Sequence, residues 1–417
     1  MRAARQAARG AEYPLYTTLL LGLTYVLHAF DRSILAVVIQ PIAQTLRLDD
    51  GQIGLLGGLA YGASYALCSI PLGLLVDRVS RRLFLAAVLG IWSTLTFVSG
   101  FASTFLLLIL CRAIIGAAEA GGSPATISLM TDLHPPERRS RVLSILYVGS
   151  GIGGAASGIV GGYVTEHYGW QTAFMVAGLP GIILAALLAT TLREPARGQH
   201  EGKHNIAAPP FRKALASIGR NRPLVLIYMA LPGGAAATSI IGIWTVPFLV
   251  RMHGLSVGEA GLWFALILSG GVSLGALLSG FVADRLNRMS PAHTLRLLSL
   301  NLLLSIPVTI AAYTVSDALA SALLLFLANV MLSCFITPAL GLILTLAGPS
   351  MRGLATSLRD VLIFLIGFGV APYLVGVLSS ALGGGRALGT ALCVAVATSA
   401  FWSAVIFLLV GRRVSSK

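Results

Sequence analysis

The sequence predicts an all-α membrane protein: twelve transmembrane helices in two six-helix, pseudo-symmetric bundles. Three observations carry this. The 417 residues are 56% hydrophobic and only 11% charged, with a mean hydropathy of +0.86. Soluble domains carry about 25% charged residues, so a water-facing surface cannot be built from this inventory and a soluble enzyme is excluded. Apolar windows of about 20 residues, the length that crosses ~30 Å of hydrocarbon, recur along the whole chain. The two halves also carry the same charged loop at matching places.

The first window, 14–42, follows Arg2, Arg5 and Arg9. Its basic start resembles a signal peptide, but no small-residue cleavage site closes a short core and the apolar run continues well past Arg32. It reads as an uncleaved first span. Windows 52–75, 82–101 and 104–130 follow, the last carrying CRAIIGAAEAGGSPA (111–125). The fifth, 140–165, contains GSGIGGAASGIVGGY (149–163), whose glycines let helices touch closely. The sixth is 170–191. A polar, basic stretch then divides the chain into a first bundle (1–191), a linker (192–222) and a second bundle (223–417). Within it GQHEGKH (198–204) mimics a phosphate loop but lacks the Walker spacing and the Ser or Thr after Lys. Residues 210–219, with Phe211, Leu215 and Ile218 on one face, suit a short helix on the membrane surface. The remaining windows are 223–250, 257–283, 293–314, 317–345, 353–380 and 387–411.

The repeat fixes the pseudo-symmetry. GLLVDRVSRR (73–82) and GFVADRLNRM (280–289) both read Gly-x-x-x-Asp-Arg-x-x-Arg. Duplication of a six-helix unit accounts for it. The charge excess of +14 follows topology rather than nucleic acid. Of 29 Lys and Arg, three (Arg47, Arg251, Arg386) fall in odd-numbered loops and three deep inside spans, leaving 23 in the tails, the even-numbered loops and the span ends beside them. That bias predicts cytoplasmic termini. The four cysteines sit in apolar runs without metal-ligand or disulfide spacing and read as inert thiols.

Six ionisable residues remain within spans: Asp31, Arg32, Arg112, Glu119, Arg359 and Asp360. A central charge costs ~2.5–3.5 kcal/mol on insertion scales, so six exposed to lipid would cost on the order of 15–20 kcal/mol. They must face the bundle interior or an aqueous cavity. Arg112 and Glu119 are two helical turns apart and project from one face. Asp31 is the expected partner of Arg112; the competing pairing is Asp31 with its neighbour Arg32. Asp31 and Glu119 are the expected proton carriers. A buried carboxyl favours its neutral form in a dry cavity and its charged form beside an arginine, and switching between the two couples a proton to a conformational change. His28, one turn before Asp31, is a candidate relay or a packing residue. Arg359 and Asp360 suit a gate or packing role. In the repeated loops Asp77, Arg78, Arg81, Arg82, Asp284 and Arg285 are expected to latch the cytoplasmic side.

This pattern resembles the major facilitator superfamily over almost the whole chain, with Ser80 and Asn287 where the loop motif usually has Gly. Within it the chain is similar to bacterial Spinster-type transporters. The matching stretches are FDRSILAV (30–37), QIGLL (52–56), YALCSIPLGLLVDRVSRR (65–82), RAIIGAAEA (112–120), DLHPPERRSRVLSILY (132–147) and GVAPYLVGVLSS (369–380). The resemblance implies a proton-coupled carrier of lysophospholipids or sphingolipid-like amphiphiles in a bacterial inner membrane. It implies proton coupling by Asp31 and Glu119, and a substrate site of Arg112, Glu119 and Asp31. No cofactor beyond a proton gradient, no metal and no nucleic-acid partner is expected, and the chain is read as a monomer. Two alternatives stand beside it. RAIIGAAEAGGSPA also resembles symporters of sugar acids or aromatic acids, whose carboxylate Arg112 would suit. A transporter-like sensor without flux would need a docking domain, and only the short linker is available for one.

Overall fold

The computed structural model describes residues 2–76, 78–197, 211–287, 290–348 and 351–414, and among them there is no strand. Eleven helices are long and apolar enough to cross a membrane. They are α1 (Leu15–Leu46), α2 (Asp50–Val76), α3 (Arg81–Ser99) and α4 (Phe105–Leu133), then Val142–Thr191 as one run. The second half gives α7 (Arg222–His253), α8 (Val257–Ala283), α9 (Ala292–Thr314), α10 (Ala318–Ala347), α11 (Arg352–Ala381) and α12 (Ala387–Arg412). The 50-residue run is two spans meeting without a loop. Gly169 alone breaks it, at φ 86° and ψ 159°, a conformation side chains other than glycine rarely adopt. Dividing there gives α5 (142–168) and α6 (170–191), and the twelve expected windows are all present.

Short loops supply their own caps. Asp49 with Gln52 and Ser256 with Glu259 form capping boxes at the starts of α2 and α8. Ser80 caps α3 and Thr104 caps α4. Ser80, the departure from the loop motif, is thus a helix cap. α4 is interrupted at Ala120–Gly121, directly after Glu119 and just before Pro124. The surface helix Phe211–Arg220 forms as expected, but Ala214 and Ile218 are its buried residues, while Leu215 faces outward with Arg212 and Lys213. The decoy GQHEGKH lies outside the described residues.

The first six spans pack largely on one another, as do the last six, and the two sets meet along α2–α11 and α5–α8. Both seams are built backbone to backbone. A Cβ on Gly62 would stand 2.6 Å from the Cα of Gly369, and one on Gly54 2.9 Å from the Cα of Tyr373. In the glycine-rich stretch of α5, Gly149 and Gly153 face α1, while Gly158 and Gly162 face Gly261 and Val257 of α8. Three seam helices contain π-helical stretches: Leu55–Leu59 in α2, Ala265–Gly270 in α8 and Ile363–Val370 in α11. A π turn leaves carbonyls without their usual partner. Ser239 of α7 donates to the carbonyl of Gly367 at 2.5 Å, and Asn329 Nδ2 of α10 to that of Ile267 at 2.7 Å.

At the end of the molecule where α1 begins, Arg81 binds Glu194 (Nε to Oε1, 2.8 Å), Ser128 Oγ (2.9 Å), the carbonyl of Pro195 (2.8 Å) and Asp132. Arg82 donates to the carbonyl of Leu192. These contacts tie α3, α4 and the segment after α6 together within the first six spans. Burial opposes the charge of Glu194, but hydrogen bonds from Arg81, the Arg82 amide and Ser80 outweigh it, holding the carboxyl below its ordinary range. A lowered folded-state value means the contribution is present above the unfolded value and lost as pH falls through the folded one. We therefore expect the thermal stability of the wild type in detergent to decline on acidification below about pH 4.5. Glu194→Gln should be less stable at neutral pH and show a flatter acid decline. An unchanged acid profile in Glu194→Gln would remove Glu194 from this account.

Candidate functional site

The charged residues of α1 and α4 point inward. Glu119 is 0% exposed, Asp31 3% and Arg112 5%, so none lies against lipid. α1 and α4 bring them to one place, with α2 and α3 supplying the partners. Tyr61 of α2 donates its hydroxyl to Glu119 Oε2 at 2.5 Å. His28 Nε2 stands 3.0 Å from the same oxygen. Arg112 lies over the Tyr61 ring, its Cζ 4.6 Å from the centroid, and donates from Nη2 to the carbonyl of Arg32 at 3.2 Å. Thr96 of α3 donates to Asp31 Oδ1 at 2.5 Å. Trp92 of α3 packs against His28, ring centroids 5.5 Å apart.

The site has unmet valence. Asp31 Oδ2, Glu119 Oε1 and Arg112 Nε are buried without a hydrogen-bond partner. Buried polar groups are almost always partnered, and orphaned charged groups cost more than neutral ones. Asp31 and Glu119 also repel each other, and Arg112 attracts both. The two carboxyls can take up a proton, and the Arg112 donor can meet an anionic group or water.

The pairing expected from sequence is not formed. Asp31 is held by Thr96 and not by Arg112, because the Arg112 guanidinium is drawn over Tyr61 and onto the Arg32 backbone. His28, left open between relay and packing, contacts Glu119 directly. Arg359 pairs with its neighbour Asp360 at 2.7 Å on α11, and Arg32 reaches α11 over the Phe368 ring at 5.9 Å. Among the loop residues, Asp77 lies outside the described residues, as does the side chain of Asp284. Arg78 and Arg285 are exposed, and Arg81 and Arg82 make the contacts within the first bundle described above.

Among the described residues, the hydrogen bonds and the ion pair that bridge the two halves lie at the opposite, distal end, and sequence reasoning missed them. Arg251 at the end of α7 bonds Asp50 at the start of α2 (2.6 Å) and Gln40 of α1 (2.7 Å). Asp50 also accepts from Ser379 of α11 at 2.6 Å, and the Gly51 amide donates to Ser380 Oγ at 3.1 Å. Glu166 of α5 accepts from Ser256 Oγ and the Gly258 amide at 2.9 and 2.7 Å. No spacing in the sequence links Asp50 to Arg251, since the pair exists only once the bundles meet. Asp50→Asn removes the charge from a buried pair, which costs on the order of 3 kcal/mol. The expected outcome is a shift toward a distal-open population, read as faster reaction of a cysteine placed at Ile53, which is fully buried here, with a membrane-impermeant thiol reagent. An unchanged labelling rate would dismiss the latch.

Among the described residues no cluster of His, Cys, Asp and Glu could hold a metal. The sequence pattern of the Major Facilitator Superfamily matches residues 21–372. The chain is 30% identical over 404 residues to an MFS-type efflux pump of Mycolicibacterium smegmatis, covering 94% of this chain and 91% of that protein. It is 28% identical to Protein spinster homolog 1 of Mus musculus, over 88% of this chain and 73% of that one. A bacterial homolog of the human lysosomal transporter Spinster, in an inward-facing and unoccupied conformation, superposes with a TM-score of 0.85 at 26% identity, covering 97% of this chain and 98% of that one. With the twelve spans, the repeated loop and the inward-facing charges of α1 and α4, these place the chain in the major facilitator superfamily, as a transporter of the Spinster type.

Proposed function

We propose that the protein is a proton-coupled carrier that moves lysophospholipids or sphingolipid-like amphiphiles by alternating access. In this reading it works as a monomer in a bacterial inner membrane with both termini cytoplasmic, which makes the present conformation inward-facing, its distal end closed. The observation that carries the reading is the buried group of Asp31, Glu119 and Arg112 with one orphaned polar atom each. Intramembrane ionisable groups are expensive and mark ion or substrate paths. Asp31 and Glu119 would take up and release the proton, and Arg112 would meet the anionic part of a headgroup. From Tyr61, which binds Glu119, a run of aromatic rings continues through Tyr65, Phe364 and Phe368, a surface that suits an acyl chain better than a sugar. The test is uptake of a fluorescent lysophosphatidylcholine into liposomes holding the purified protein, with and without a pH gradient. Flux that ignores the gradient would end the coupled reading.

A second reading rests on Arg112 Nε. A guanidinium with an unused donor fits a planar carboxylate, as a carrier of sugar acids or aromatic acids would need. Ligands stabilise the state they bind, so a thermal-shift screen of lysolipids against such acids separates the two.

A further inference from the structure

Tyr61 belongs both to the charged site and to the seam between the bundles. Its hydroxyl binds Glu119 at 2.5 Å and its ring lies beneath the Arg112 guanidinium. The same ring stands 5.9 Å from Tyr65 and 6.3 Å from Phe364 of α11. Tyr65 stacks on Phe364 at 3.7 Å, and Phe364 on Phe368 at 5.2 Å. These rings cross from α2 to α11 where Gly62 and Gly369 let the two backbones touch. Gly116 of α4 also faces the Tyr61 ring, with only 3.1 Å from a Cβ there to Cδ2. Phe364 and Phe368 lie in the π stretch of α11. A change of partner at Glu119 or Arg112 therefore acts first on Tyr61, and Tyr61 is in ring contact with the α2–α11 stack.

We propose that Tyr61 is a positioning residue that ties occupancy of the Glu119–Arg112 site to closure of the α2–α11 seam. Its hydroxyl senses what Glu119 binds, and its ring face transmits the change to Phe364. The proposal rests on the reading of that site as the place where proton and cargo bind, but its central test needs no cargo.

Tyr61→Phe keeps the ring under Arg112 and the aromatic stack while removing the bond to Glu119. In lipid nanodiscs, hydrogen exchange of this variant should be about tenfold faster than wild type in peptides covering 49–54 and 376–384, the α2–α11 contacts at the distal end. Phe364→Leu, which leaves Glu119 and Arg112 untouched, should speed exchange in the same peptides. In liposomes carrying lysophosphatidylcholine, Tyr61→Phe should keep half-saturation within about threefold while its maximal rate falls about tenfold. Unchanged exchange in either variant overturns the proposal, as does a defect confined to half-saturation, which would make Tyr61 a binding residue only. Should Tyr61→Phe fail to fold, exchange in Phe364→Leu decides the matter. If the wild type moves no lysophosphatidylcholine, the cargo reading fails, and the exchange measurement still decides this one.

Discussion

Glu119→Gln should abolish gradient-driven accumulation while leaving exchange across the membrane measurable. Glutamine keeps the shape of the side chain and still accepts the Tyr61 hydroxyl, so the fold and the seam are preserved. What it loses is the exchangeable proton. One pH unit is worth 1.36 kcal/mol per proton, so a two-unit gradient coupled to one proton supports about 100-fold accumulation. The variant should fall to about onefold under the same gradient. Asp31→Asn should lower the accumulation too, and the two substitutions together should do no more than Glu119→Gln alone if the acids form one proton path. The measurement is steady-state uptake into liposomes at fixed gradients. Accumulation by Glu119→Gln equal to the wild type would remove Glu119 from the coupling mechanism.

Arg81→Ala should be the most destabilising single change at the terminal face. Arg81 is 1% exposed, and it serves Asp132, Glu194, Ser128 and the carbonyl of Pro195 together. Its removal takes the Arg81 cation away from buried Asp132. Breaking one partner of a buried pair costs about 3–5 kcal/mol, enough to lower the melting temperature in detergent by many degrees. Arg81→Lys should recover little, because a single ammonium cannot meet a forked set of acceptors. A melting temperature for Arg81→Ala within two or three degrees of wild type would show that these bonds are dispensable. The experiment also separates two roles. The repeated loop suggests a latch between bundles, whereas the contacts of Arg81 stay inside the first one.

Most of the architecture was legible in the sequence, because lipid leaves few choices. A helix must be about 20 apolar residues long to cross, and charges inside it must turn inward. Those two constraints located the twelve spans and singled out Asp31, Arg112 and Glu119. Even where no loop marks a boundary it was legible: the windows ending at 165 and restarting at 170 bracket Gly169, the single positive-φ glycine that separates α5 from α6. Partner choice was not legible at all. Asp31 and Arg112 have complementary charge, but Thr96 and Tyr61 hold them, and both are ordinary residues in apolar helices. Tyr61 carries no sequence signal of its own. Asp50 and Arg251 lie in short loops and look like solvated charges until the bundles meet.

The π stretches in α2, α8 and α11 give the seam helices a spare residue each. Returning one π turn to α geometry would shift everything beyond it by about 1.5 Å along the axis and rotate it by about 100°. A rotation of that size swaps which side chains face the opposing bundle without melting a turn, because Ser239 and Asn329 already hold the carbonyls that the looser winding sets free. Slack for such a rotation is wound into the same helices whose glycines touch.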